Sequence, residues 1–220
     1  MPSLFRSLLI FSLLAVLSQS CKQQDYIVVE EGYTLSIDSF APFLENQFSK
    51  WTVLVCQDQL SYMDTIQSFY ESRKYKSLWW KALLGDSLEW AQLVNTFAIA
   101  NQHGMDYRYY YNPLVDYYRQ KLTHFSTADS VYRLMAELEV LTSHGLLQMY
   151  EDIGNGRTNP RKVYGYTYML PRNNLTKLDY YSFLESSNKP KQIADIHKND
   201  TTYNELLKVM SFYLGKKEEA

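Results

Sequence analysis

The chain has 220 residues, a formal net charge of −2 and 46% hydrophobic residues, and its 15% aromatic content includes 20 tyrosines. A near-neutral balance with scattered Lys and Arg creates no basic field, which excludes nucleic acid as a partner. Eight glycines and six prolines are too few for an all-β chain of many tight turns, and two cysteines are too few for a disulfide framework.

The chain opens with Arg6 followed by the apolar run Leu8 to Leu17. That run is too short for a bilayer span, which needs roughly 20 residues, and reads as the core of a signal peptide. Leu17-Ser18-Gln19-Ser20-Cys21 resembles a bacterial lipobox, with Leu17 displaced by one position and Gln19 where a small residue is usual. Cleavage before Cys21 would make that residue the lipid attachment point, and two acyl chains anchor a protein stably. Removing the signal leaves length for one domain with a real core. The expected division is 1–20 signal peptide, 21–40 tether, 41–215 helical domain and 216–220 tail. Lys22 in place of Asp favours the outer membrane, on its periplasmic side.

Residues 22–40 are polar and mixed, with room for one short strand around Tyr26 to Val29. Helix signals accumulate from Phe40. Cys56 ends the short apolar run Trp51 to Cys56, where a cysteine is a small buried hydrophobe. Ser61 and Asp64 form a capping-box-like start for a helix reaching Tyr75. Ser87 caps a helix whose Trp90, Leu93, Val94 and Phe97 make one stripe, ended by Gly104. Asn112-Pro113 places an N-cap before a proline at the first helical position. The longest helix runs from Ser126 to Ile153, with Ser126 and Asp129 as the cap pair and Val131, Leu134, Met135, Leu138, Leu141 and Met149 as its apolar stripe. Gly145 interrupts it, at a cost of roughly 1 kcal/mol against Ala. Val163 to Met169 reads as a short strand or an extended loop. Lys177 to Ser186 and Thr202 to Leu214 are the last helices, the second with Tyr203, Leu206, Leu207, Met210 and Tyr213 on one face and Gly215 as its stop. The fold class is all-α: a single helical domain of about six to eight helices, with at most a minor short β element, after a signal peptide and tether.

Four segments carry a family resemblance. They are Ile66 to Trp79, with Phe69-Tyr70, Arg73, Tyr75 and Leu78-Trp79; Ala100 to Tyr110, with His103-Gly104; Glu137 to Thr142 together with Tyr150 to Arg157; and Tyr203 to Tyr213. In this order they resemble the scaffold domain of the large bacterial L,D-transpeptidases, which cross-link the cell wall. The resemblance implies a helical fold and, as partners, a membrane through the lipid anchor and peptidoglycan or a cell-wall enzyme. The family's chemistry uses a Ser-x-Gly-Cys-x-Arg segment with a His-Gly pair upstream, because a thiolate must attack a carbonyl while an imidazole handles protons. Cys56 has neither Gly before it nor Arg two residues on, and the pairs His103-Gly104 and His144-Gly145 have no nucleophile to serve. The reading is therefore a non-catalytic scaffold. One alternative is the N-terminal fragment of a truncated or split enzyme, and another is a glycan-binding lipoprotein that uses its tyrosines.

The candidate binding residues are Tyr109 and Tyr110 in the densest aromatic cluster, Trp80 and Arg157. Each has a plainer reading: loop packing for the tyrosines, core for the Trp79-Trp80 pair, and helix-end capping or tertiary pairing for Arg157. His103, His124, His144 and His197 show no ligand spacing, so no metal and no cofactor is expected. Glu137 and Glu139, two apart on a helix, lie on different faces and cannot act together.

Overall fold

The computed structural model describes residues 26–28, 34–54, 62–110, 113–125, 127–158, 163–165 and 175–218. The signal peptide, Cys21, Cys56, Ser61, Tyr111, Asn112, Ser126 and most of the 163–169 segment lie outside the described residues. Two short strands, β1 (Tyr26–Val28) and β2 (Thr34–Ser36), pair antiparallel with Ile27 opposite Leu35. Helix α1 (Ile37–Leu54) follows directly. Then come α2 (Met63–Ser72), α3 (Trp80–Leu83), α4 (Ser87–Gln102), a 3-10 turn (Tyr107–Tyr109) and α5 (Pro113–Lys121). After a second 3-10 turn (Leu122–His124) the chain forms α6 (Ala128–Asn155), α7 (Lys177–Glu185), α8 (Lys189–Ile196) and α9 (Thr201–Glu218). The domain is helical as expected, with nine α-helices among the described residues.

Helix α6 organises the domain. Its 28 residues span about 42 Å at 1.5 Å per residue, and α1, α2, α4, α5, α7 and α8 all pack on it. The expected single stripe is too narrow for that environment. Leu134 and Leu141 are only half-buried, whereas Ala136, Glu139, Val140 and Ser143 are buried as well. Burial that spreads this far round α6, with Arg133 and Glu137 left exposed, marks a central helix rather than one lying on the surface.

The middle of α6 shows why Gly145 is there. A Cβ built on it would lie 2.1 Å from the carbonyl oxygen of Tyr110 and 3.3 Å from the Phe97 ring. The glycine lets the Tyr110 backbone settle directly on the helix, and its propensity cost is offset by that close approach.

Caps and ends depart from the sequence reading by small steps with clear causes. Asp86, not Ser87, caps α4 by accepting from the N–H groups of Leu88 and Glu89. Thr127 caps α6 by accepting from Ser130 N–H, and α6 ends at Gly156 with φ +75°. Tyr62 stands at the α2 N-cap without a side-chain cap bond. Thr176 and Asp179 form a reciprocal capping box on α7. Gly215 does not stop α9, which continues to Glu218. Val163 and Tyr164 are helical and exposed, so the strand reading fails for that part of the 163–169 segment.

Strand β2, just before α1, is tied to the bundle. Tyr132 Oη accepts from Ser36 N at 2.8 Å and donates to Ser36 O at 3.2 Å, and Leu35 is buried. On α9, the half-buried face is Tyr203, Leu207 and Met210, while Leu206 and Tyr213, expected to share it, are exposed. The reason is the docking point. Tyr203 meets His103 beyond α4, and Met210 Sδ lies 3.0 Å from where a Gly104 Cβ would be.

Candidate functional site

One carboxylate sits at the centre of the bundle. Glu139, fully buried on α6, accepts from Tyr70 Oη at 2.8 Å, Ser77 Oγ at 2.7 Å, Leu78 N at 2.5 Å and Trp79 N at 3.3 Å. Every partner is a donor, the environment an acceptor-only carboxylate requires. Burial pushes the Glu139 carboxyl above its usual range while these hydrogen bonds pull it back. Proton directions around it are forced. Trp79 Nε1 can only donate, and does so to Ser143 Oγ at 2.9 Å. Tyr70 gives its proton to Glu139, so Ser143 gives its own to Tyr70 Oη at 2.8 Å. Burial, then the neighbouring Glu139 charge, holds the Tyr70 hydroxyl well above its usual range. The Ser77-Leu78-Trp79 turn, which has no regular structure of its own, is thereby fixed to α2 and α6.

Sequence reasoning missed this node. In the sequence Glu139 stands out only as part of the Glu137–Thr142 segment and as lying on a different helix face from Glu137, which is indeed exposed. The available signal was a glutamate at helical spacing with Met135, Thr142, Ser143 and Leu146, all of which are buried.

Three of the four proposed binding residues within the described chain converge. Tyr109 is 62% exposed, and the Arg157 guanidinium lies over its ring at 4.0 Å from the centroid. Tyr110 is buried, with its hydroxyl on Asp152 Oδ2 at 2.9 Å. Burial, then the Asp152 charge, raises the Tyr110 hydroxyl above its usual range. Arg157 Nε reaches the same Asp152 at 3.9 Å. Asp152 thus gathers Tyr110 and Arg157 at the end of α6, the tertiary pairing that was the plainer reading of Arg157. Asp106, paired with Arg108, is lowered to about 2 by that side chain's hydrogen bonds and closes the turn beside them.

Trp80 does not join this group. It is buried against Phe40, with ring centroids 6.0 Å apart, and Trp79 is buried beside it. Both tryptophans border a groove of about 720 Å³ formed with Lys189 and the α7–α8 turn.

His103 and His197 tie elements of the bundle together. His103 Nδ1 bonds Tyr203 Oη at 2.7 Å, and the His197 ring stacks on Tyr203 at 3.9 Å. His197 Nε2 donates to Ile153 O at 2.7 Å, tying α6 to the chain before α9. Burial, then the nearby His197, lowers His103. His144, mid-α6, is lowered to about 4 by burial. Among the described residues no group of three or more His, Cys, Asp or Glu is placed to hold a metal ion. Among them, too, no helix is long and apolar enough to cross a membrane.

The buried polar side chains of Tyr70, Ser77, Glu139 and Ser143 are turned inward on one another and hold elements of the helical bundle in place. The family model described as "Scaffold domain" matches residues 64–210. The chain belongs to that family, in agreement with the resemblance to the L,D-transpeptidase scaffold. No curated protein and no solved structure matches the chain.

Proposed function

We propose that this chain is a non-catalytic cell-envelope scaffold, held to the membrane by lipid on Cys21, that positions peptidoglycan or a partner enzyme. The observation that carries the reading is the family match over residues 64–210, which falls on the unit built around α6. A body pinned at its centre by Glu139 and at its end by Asp152 presents its surfaces in fixed relation. That property is what positioning requires.

The lipobox-like segment supports attachment through Cys21, with the outer membrane as the preferred site. The test is direct. Labelling with a palmitate analogue should mark the full chain and fail for Cys21→Ala, and sacculus pull-down with crosslinking in cells should recover peptidoglycan or a cell-wall enzyme. Absence of both kinds of capture, or muropeptide turnover abolished by Cys56→Ser, would contradict the proposal. Of the pair Tyr109–Tyr110, the glycan-binding alternative keeps one exposed ring, Tyr109, because Tyr110 is buried.

A further inference from the structure

The groove beside Trp79 and Trp80 is furnished with donors that lack acceptors. Lys189 is 8% exposed, and its Nζ bonds Ser186 O at 2.8 Å over the Trp79 ring, 5.0 Å from the centroid. An ammonium has three donors, and that carbonyl uses one. Trp80 Nε1 and Arg73 Nε, on side chains lining the same groove, are sealed from solvent without a hydrogen-bond partner.

The placement of Lys189 is itself a conflict. It is the first residue of α8, at the helix end whose dipole already carries partial positive charge. Burial then lowers its ammonium to about 8, with Glu89 opposing the shift. A cation buried at the positive end of a helix is destabilising unless an anion joins it. The carboxylates that face the groove are Glu89 and Glu185, and Glu185 is taken by Arg73 at 2.6 Å. Lys76 and Lys81 add further positive charge to the lining.

From this juxtaposition of buried Lys189, unpartnered Trp80 and Arg73 donors and a groove walled by two indoles, we infer a binding site for an acidic peptide that seats a carboxylate on Lys189. The volume falls within the roughly 300–1,000 Å³ of ligand pockets. Gln92 and Asn95 on the α4 wall supply amides of the kind that pair with peptide groups. Glu89 and Glu185 at the groove disfavour a dianionic phosphate more than a singly charged carboxylate. The inference does not depend on lipid attachment.

The test is a tryptophan-fluorescence titration of the full chain with a degenerate pool of pentapeptides bearing one glutamate and a free C-terminus. A second pool carries glutamine and a C-terminal amide in their place. Saturable change with the acidic pool alone is expected. Lys189→Gln should weaken it by about tenfold, the loss of one desolvated charge-assisted bond, while Lys189→Arg keeps most of the response. Lys191→Gln, on the exposed side of α8 where it pairs with Asp195, should leave it unchanged. Far-UV circular dichroism checks that each variant remains helical. No saturation with the acidic pool, equal response to the amide pool, or indifference to Lys189→Gln would overturn the site. A response to inorganic phosphate without one to the peptides would overturn the peptide assignment.

Discussion

Glu139 and Lys189 are both buried charges within reach of Trp79, one on its backbone and one over its ring, and they are treated in opposite ways. Glu139 is met by four donors from two other parts of the chain. Lys189 has one carbonyl, an aromatic face and an opposing helix dipole. A buried charge whose partners are complete locks architecture, whereas one left short of partners is costly to keep and is explained by what it can bind.

The comparison breaks most readily at Glu139. Glu139→Ala leaves Tyr70, Ser77, Leu78 and Trp79 with buried donors and no acceptor, at a cost of about 4 kcal/mol in chemical denaturation. A loss under 1 kcal/mol would show that the node is ornamental. Gly145→Ala comes next. Its Cβ would sit 2.1 Å from the Tyr110 carbonyl, and displacing that backbone is expected to cost about 3 kcal/mol. Since the same backbone carries Tyr110 to Asp152, tyrosine fluorescence should report the shift alongside the melting temperature.

Lys189→Met should move stability the other way. The folded ammonium is lowered to about 8 from an ordinary value near 10.4, so the folded state binds fewer protons than the unfolded state between those values. Stability is highest above the unfolded value and is lost as pH falls toward 8; at neutral pH the full penalty applies. Removing the charge should stabilise the chain by roughly 1–3 kcal/mol at pH 7. The histidines sharpen the contrast from the acid side. His144 is lowered to about 4 and His103 is lowered as well. Both therefore contribute stability present above about 6.5, the ordinary histidine value, and lost as pH falls through the folded values. Unfolding free energy should decline between about pH 6.5 and pH 4, and His144→Leu should flatten that decline. The smallest effect is expected at the rim. Tyr109→Ala removes an exposed cation–π contact with Arg157 and should cost about 0.5 kcal/mol.

The bundle was legible because its helices announce themselves through apolar spacing and caps. Lys177 to Glu185 and the long helix through Leu138 fall where periodicity places them. Helix α8 was missed: it has eight residues, and its signals are the Asn188 cap and Pro190 near the start, in a stretch poor in apolar residues. The Tyr109–Tyr110 cluster was legible as a place but not as a geometry. Which of two adjacent tyrosines is buried depends on Gly145 and Asp152, distant in sequence. Glu139 and Lys189 were invisible for the same reason. A charged residue in a polar alphabet looks solvated until long-range packing removes the water, and only the assembled partners distinguish a locking charge from an unsatisfied one.

Urea unfolding of Glu139→Ala and Lys189→Met beside the parent chain at pH 7 tests this distinction most directly. The midpoint should fall for Glu139→Ala and rise for Lys189→Met. Midpoints that both fall by similar amounts would mean that Lys189 is as fully compensated as Glu139, and would contradict the account.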